Sequence, residues 1–348
     1  MTIVELIDLY DGFQLIIDKI RTTNKRKLLI IVTILSFFLS AVLDNLTTAI
    51  VMASLVRKIL SEKEDRLIFI GMIVIAANAG GSWSPIGDVT TTMLWIGNQI
   101  TPLGIVKSIF IPSLVATLIP LMMLIFRLKG AFIPLVRESE SGTRRSDQSI
   151  ILYTGLILLL FVPLFKMLTH LPPFMGMMLA VGILWLLSET LQKRQTEESN
   201  PNNSIFTALE RIDMPSILFF MGILLAVSAL QSFGLLETAA VFLSNKLHND
   251  TLLVSGIGLL SAVFDNVPLV AAVQGMFQLS QYATDHFFWR FLAFCSGTGG
   301  SILIIGSAAG VAVMGIEQID FFWYLRKISP AALLGYLAGA LTCVLLSS

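Results

Sequence analysis

"SAVLDNLTTAIVMAS", residues 40–54, sets a carboxylate, an amide and two hydroxyls inside an apolar run. The stretch before it, "LLIIVTILSFFL" at 28–39, would suit a hydrocarbon core, and so would much of the chain beyond residue 54. Asp44, Asn45, Thr47 and Thr48 therefore form a polar knot that an ordinary span would not carry.

The rest of the chain fixes the class. Of the 348 residues 55% are apolar and only 13% charged, against about 25% charged in a soluble globular protein. Mean hydropathy is +0.83. Apolar stretches of about 20 residues recur throughout, long enough to cross a bilayer core of about 30 Å. No run of alternating short strands suggests a barrel. The class read from these features is an all-α polytopic membrane protein in contact with the lipid bilayer. Formal net charge is zero, which leaves no basic face for nucleic acid. Cys295 and Cys343 lie in apolar segments and read as small buried hydrophobes, with no disulfide framework or metal cluster.

The knot has a counterpart. "SAVFDNVPLVAAV" at 261–273 answers "SAVLDNLTTAIVM" at 40–52, an offset of 221. "GGSILIIGSAAGVAVMG" at 299–315 answers "GGSWSPIGDVTTTMLWI" at 80–96, an offset of 219. The segment around Gly234 likewise answers the one around Gly12. Three matches in one order at nearly constant offset indicate a duplicated architecture.

Charge placement predicts how the copies are oriented. If each knot is the tip of a re-entrant hairpin, the loops 19–27, 57–66, 127–149, 193–211 and 316–328 share one side. They hold 19 of the 23 Lys and Arg residues. The opposite loops hold only Lys246 and Arg290. The basic side is then cytoplasmic, the first hairpin opens from it, the second opens from the other side, and the repeats are inverted. Inverted repeats with broken helices meeting at mid-membrane characterise secondary transporters.

The expected layout has a first repeat at 1–126, with a partial helix over residues 1–18, a hairpin at 27–60, a broken helix at 67–97 and a span at 105–126. A cytoplasmic linker covers 127–149. The second repeat, 150–348, has spans at 150–168, 174–192 and 215–236, a hairpin at 250–281, a broken helix at 288–315 and a span at 329–347. The first repeat lacks partners for two spans of the second. Subtracting the offset puts the counterpart of Ile150 about 70 residues before Met1. The expectation is a chain that starts inside the first repeat of a longer protein.

Three carboxylates fall near helix-centre depth: Asp44, Asp88 and Asp265. Each costs about 2.5–3.5 kcal/mol on insertion scales, a sum comparable to the stability of a whole protein. A functional role is the default for all three, with capping of a short helix the competing role, most of all for Asp88. Asp44-Asn45 and Asp265-Asn266 each join a hard anionic oxygen to an amide oxygen at a break, a donor set that suits a hard cation such as Na⁺. Thr47, Thr48, Ser40 and Ser261 could add hydroxyl oxygens, or could bond their own helix carbonyls. Gly80, Gly81, Gly87 and Gly299, Gly300, Gly306 permit unwinding, and Pro85 enforces it. Asn78, Asp88, Thr90, Thr91, Ser296, Thr298 and Ser301 surround these breaks. Trp83 and Trp95 read as packing residues.

A carboxylate in a partly dehydrated site holds a proton or a sodium ion, but not readily both. One site competed for by both ions and exposed alternately to each side is an exchanger; Asp44 and Asp265 are expected to titrate as a pair. Two other readings stand beside it: a sodium-coupled anion or dicarboxylate symporter, and a fragment that does not transport.

The stretches "FFLSAVLDNLTTAIVMASLVRK", "NAGGSWSPIGDVTTTMLWIG", "SAVFDNVPLVAA" and "SGTGGSILIIGSAAG" resemble the NhaD-type sodium/proton antiporters of the ion transporter superfamily. The resemblance covers essentially the whole chain. It implies exchange of Na⁺ or Li⁺ for H⁺ across a bacterial cytoplasmic membrane or an organelle inner envelope, no cofactor, no enzymatic activity, and a homodimer. It implies functional roles for Asp44, Asn45, Asn78, Asp88, Thr90, Thr91, Ser261, Asp265 and Asn266.

Overall fold

The computed structural model describes residues 2–17, 22–130 except 129, 144–194 except 170 and 172, 205–210, isolated positions between 214 and 238, and 249–347. The expected span at 215–236 and most of the two polar linkers fall largely outside these residues. Among the described residues the ordered elements are all helices. Six are long and apolar enough to cross a membrane. In hydrocarbon a helix satisfies its own backbone polar groups, which is why such runs take this form.

Two compact units divide the chain, one from residues 1–22 and 136–217, the other from 23–135 and 218–348. In the first, α1 (Thr2–Leu9) packs against α8 (Arg145–Thr169), α9 (Pro173–Arg194) and α10 (Ile205–Glu210). The single helix expected over residues 1–18 is interrupted. A turn at Tyr10–Phe13 separates α1 from α2 (Gln14–Ile17). Asp11 takes φ 52° there, and Gly12 packs so close to Ile7 and Leu152 that a Cβ would meet the Ile7 side chain at 2.8 Å. Tyr10 anchors the turn by donating from its hydroxyl to the Ser188 carbonyl at 3.2 Å.

The second unit contains α3 (Lys25–Leu43), α4 (Asn45–Ile59), α5 (Lys63–Ser82), α6 (Val89–Ile96), α7 (Pro102–Ile125), α11 (Asp250–Leu260), α12 (Asn266–Met276), α13 (Phe287–Gly299), α14 (Ala308–Glu317), α15 (Phe321–Lys327) and α16 (Ser329–Ser347). Side-chain caps set several starts: Asn24 accepts from Arg26 N and Lys27 N, Thr101 from Gly104 N and Asn249 from Thr251 N and Leu252 N. Each supplies an acceptor to amides the helix itself leaves unpaired. The basic loop expected at 316–328 is partly helical. Helix α14 runs on to Glu317, and Asp320 caps α15 by accepting from Trp323 N at 2.8 Å.

Helix α5 is the centre of this unit. It packs on α3, α4, α7, α13 and α14, and every residue from Phe69 to Ser82 is buried. Helices α7 and α16 lie along each other, with Gly335 on the Ala116 carbonyl and Gly339 on the Pro112 carbonyl. Small residues bring helix backbones this close, the usual basis of packing where lipid removes the hydrophobic drive.

Candidate ion-binding site

Four helix interruptions meet around α5 and α13. The chain leaves α3 at Asp44, which takes φ 99° and ψ 159°, and enters α4 at once. It leaves α5 at Trp83 and re-enters helix at Val89. In the second half it leaves α11 after Leu260 and resumes at Asn266, then leaves α13 after Gly299 and resumes at Ala308.

The same contacts hold both pairs. Ser40 Oγ donates to the Ala77 carbonyl at 2.5 Å; Ser261 Oγ, its counterpart, donates to the Ser296 carbonyl at 2.8 Å. A Cβ on Gly80 would strike the Phe37 carbonyl oxygen, and one on Gly299 the Gly258 carbonyl oxygen. Gly87 sits on the Ser40 carbonyl, and Gly306 on those of Ser261 and Ala262. Two helices approach backbone to backbone at each crossing, so a side chain at Gly80 or Gly299 has no space.

The polar side chains converge on Asp88. It is 2% exposed and caps α6, its Oδ1 accepting from Thr90 N at 3.2 Å. Its Oδ2 accepts from Asn266 Nδ2 at 2.9 Å and from Asn45 Nδ2 at 3.3 Å. Asn45 Nδ2 also donates to Asn78 Oδ1 at 2.9 Å, and Asn78 Nδ2 donates to Ser307 Oγ at 3.0 Å. Capping and convergence thus fall to different oxygens of one carboxylate. Residues 178 positions apart are joined through it. Hydrogen bonds to an ionised acceptor are the stronger kind, and two amide groups share this one oxygen.

The other two carboxylates are disposed differently. Asp44 turns to its own helix, its Oδ1 accepting from Thr47 N at 2.7 Å and its Oδ2 from Thr47 Oγ1 at 2.9 Å. Asp265 makes no such cap, and its buried Oδ1 has no hydrogen-bond partner. Both lie within electrostatic reach of Asp88. Among the described residues no three His, Cys, Asp or Glu gather as a metal-holding group, so neutral oxygens must complete any coordination shell here.

The hydroxyls divide in the same way. Thr48 Oγ1 and Thr90 Oγ1 are buried and have no partner. Thr91 Oγ1 donates to the Asp88 carbonyl at 2.9 Å, Ser296 Oγ to Leu292 O at 2.8 Å, Thr298 Oγ1 to Phe294 O at 2.6 Å and Ser301 Oγ to Thr298 O at 2.7 Å. These four serve helix carbonyls, the competing role for such side chains.

Ser307 is the member that motif reading missed. The 219-residue offset places it opposite Asp88, and like Asp88 it caps a short helix, accepting from Gly310 N at 3.2 Å. The signal was the alignment of the two halves rather than any motif of its own. Trp83, just past α5, stacks on Phe37 with ring centres 5.9 Å apart and meets Phe110 edge-on at 5.0 Å. It packs the outside of the break, with its Nε1 buried and unpartnered.

A protein-family profile described as "Citrate transporter" (CitMHS) matches residues 1–290. "Sodium/proton antiporter 1" of Arabidopsis thaliana is 48% identical over 341 residues, covering 97% of this chain and 59% of that protein. "Sodium/proton antiporter 2" of the same plant is 45% identical over 98% of the chain and 82% of its own length. "Na(+)/H(+) antiporter NhaD" of Alkalimonas amylolytica is 35% identical over 87% of the chain and 66% of its own length. The chain therefore spans between about three fifths and four fifths of these relatives. With six span-length helices and matches of this extent, it is an integral membrane protein that belongs to the citrate transporter (CitMHS) family, as a relative of the NhaD-type sodium/proton antiporters.

Proposed function

We propose that the protein exchanges Na⁺ for H⁺ across its membrane by alternating access, with Li⁺ accepted in place of Na⁺. The observation that carries this reading is the meeting of Asn45, Asn78 and Asn266 around Asp88, at breaks contributed by both halves of the chain. Relatives named as sodium/proton antiporters support it.

The chemistry comes from the donor set. The amide groups of Asn45 and Asn266 donate to Asp88 Oδ2. A sodium ion arriving at that oxygen displaces them, and each amide turns its Oδ1 toward the ion. Asp265 Oδ1, Thr48 Oγ1 and Thr90 Oγ1, buried without partners, are the further oxygens such a shell draws on. A proton at Asp88 removes the charge that holds the cation, so the two ions exclude each other. In this reading Asp44 shapes the start of α4 and sets the local field. Each Asp-Asn break is the tip of a re-entrant hairpin, the two halves are inverted, and the basic loops face the cytoplasm. A homodimer is part of the same proposal.

The family description favours one other reading, sodium-coupled uptake of a carboxylate anion. An anion needs a counter-charge, whereas the groups gathered at these breaks are carboxylates, amides and hydroxyls. The deciding measurement is proton-gradient dequenching in everted vesicles that carry the protein, with Na⁺, Li⁺, K⁺ and citrate added in turn. Exchange predicts dequenching by Na⁺ and Li⁺ but not K⁺, and its loss in Asp88→Asn and Asp265→Asn. Vesicles that respond to neither Na⁺ nor Li⁺ would sink the proposal; citrate-dependent Na⁺ uptake would establish the other reading.

A further inference from the structure

A second buried carboxylate of this unit lies outside the exchange chemistry. Glu317 ends α14 and is 5% exposed. Its Oε2 accepts from Arg66 Nε at 2.8 Å, and Arg57 Nε stands 3.9 Å from its Oε1. Arg66 Nη1 also donates to the carbonyls of Leu60 and Ser61, at 3.2 and 3.4 Å. One guanidinium thus joins the α4–α5 connection to the end of α14.

The other end of α14 begins at Ser307, which accepts from Asn78. Asn78 and Arg66 are both on α5, twelve residues apart, and Ser307 and Glu317 are ten apart. At 1.5 Å per residue these are lengths of about 18 and 15 Å. Helix α14 therefore lies antiparallel along α5, pinned at one end to the ion-site cluster and at the other by the ion pair. It also packs on α4.

The equivalent junction in the other half is closed differently. Shifting by 219 takes Arg66 to Asp285 and Glu317 to Asn98. There Asp285 N donates to the Gln99 carbonyl at 2.8 Å, and Thr284 Oγ1 donates to the Asn98 carbonyl at 2.8 Å. The same two places touch in both halves, one through a part-buried ion pair, the other through hydrogen bonds to carbonyls. Beside these bonds the Asp285 carboxylate accepts from Thr101 N at 2.8 Å and Thr101 Oγ1 at 2.6 Å rather than from a cationic side chain. An ion pair with its carboxylate this buried gains little over apolar packing, and the best-attested use of such pairs is to fix one arrangement against another.

We propose that the Glu317–Arg66 pair is a latch holding α14 against α4 and α5, closing the basic-loop approach to the Asp88 cluster, and that it parts when that approach opens. This rests on the alternating-access reading above. Glu317 is a positioning residue: it acts on the site through α14, Ser307 and Asn78.

The test places a reporter cysteine at Val313, midway along α14 and fully buried, and follows its labelling by a small maleimide in membrane vesicles. The protein without Val313→Cys serves as the blank for Cys295 and Cys343. Glu317→Gln is expected to raise the labelling rate about tenfold by populating the open arrangement. It should also shift the apparent KM for Na⁺ more than the maximal rate. The exchanged pair, Glu317→Arg with Arg66→Glu, should return labelling toward the parent value. Arg66→Lys keeps the charge but loses the fork to Leu60 and Ser61, and raises labelling by a smaller factor; it carries the test if Glu317→Gln yields no folded protein. Parent-like labelling in every variant overturns the latch, as does an exchanged pair that labels as fast as Glu317→Gln. Parent vesicles without Na⁺-driven proton movement would instead remove the exchange reading, while the labelling series still judges the latch.

Discussion

The two halves of the second unit share a scaffold and differ in charge. Ser40 and Ser261 make the same bond, Gly80 and Gly299 the same close approach, and Gly87 and Gly306 each rest on the carbonyl of the matching serine. At the caps of the two short helices the likeness ends. The first half places Asp88 there, the second Ser307. The Asp-Asn breaks differ too, since Asp44 is held by Thr47 while Asp265 leaves an oxygen unpartnered. The two halves match in backbone geometry, and the proposed ion chemistry draws on positions where they do not.

The largest effect should come from testing that charge difference. Asp88→Asn is expected to cut Na⁺-driven proton flux by about 100-fold or more, whereas Ser307→Ala, which frees Asn78 and removes the α14 cap, costs about tenfold. Equal losses in vesicle assays would show the caps to be equivalent and end the distinction. Next come the shared crossings. Gly80→Ala and Gly299→Ala each force a Cβ onto a carbonyl and should destabilise by about 1–3 kcal/mol, read as a matching fall in the detergent melting temperature. Tolerance in one half alone would break the common scaffold.

The Asp-Asn pair gives a smaller, opposite-signed contrast. Asp265→Asn removes a half-buried carboxylate whose buried Oδ1 has no partner and is expected to raise stability by about 1 kcal/mol while lowering exchange. Asp44→Asn keeps a capping side chain and should change stability by no more than about 0.5 kcal/mol. Thermal melts of both variants decide this. Of the same order, Ser40→Ala and Ser261→Ala should each cost about 1 kcal/mol, with equal melting shifts. A difference would mean that one serine does more than hold its crossing.

Class and helical make-up were legible because a bilayer imposes them: long apolar runs, few charges and no alternative way to satisfy the backbone. The interruption after α5 was announced by glycines and Pro85, residues that act locally. Convergence on Asp88 was not legible in the same way. Nothing in "GDVTTT" shows that one oxygen caps α6 while the other receives Asn266 from 178 residues away. The hydroxyls of Thr298 and Ser296 looked as available as those of Thr48 and Thr90, and only packing shows which are taken up by helix carbonyls. Glu317 sat in a stretch expected to be loop, and its partner Arg66 is 251 residues distant. The turn at Asp11 escaped because "VELIDLYDGFQLII" keeps a helical apolar rhythm through the break.

Trp83 has a practical consequence. Five tryptophans occur in the chain, and this one stands five residues from Asp88, at the unwound end of α5. Its indole N–H is buried and meets no acceptor, and its ring lies against Phe37 and Phe110. Indole emission shifts with hydrogen bonding and water, so this side chain is an optical probe already in place. With the other four tryptophans replaced by phenylalanine, sodium uptake at Asp88, as proposed above, would be visible as a shift in the emission of a single residue, with no label and no transport assay.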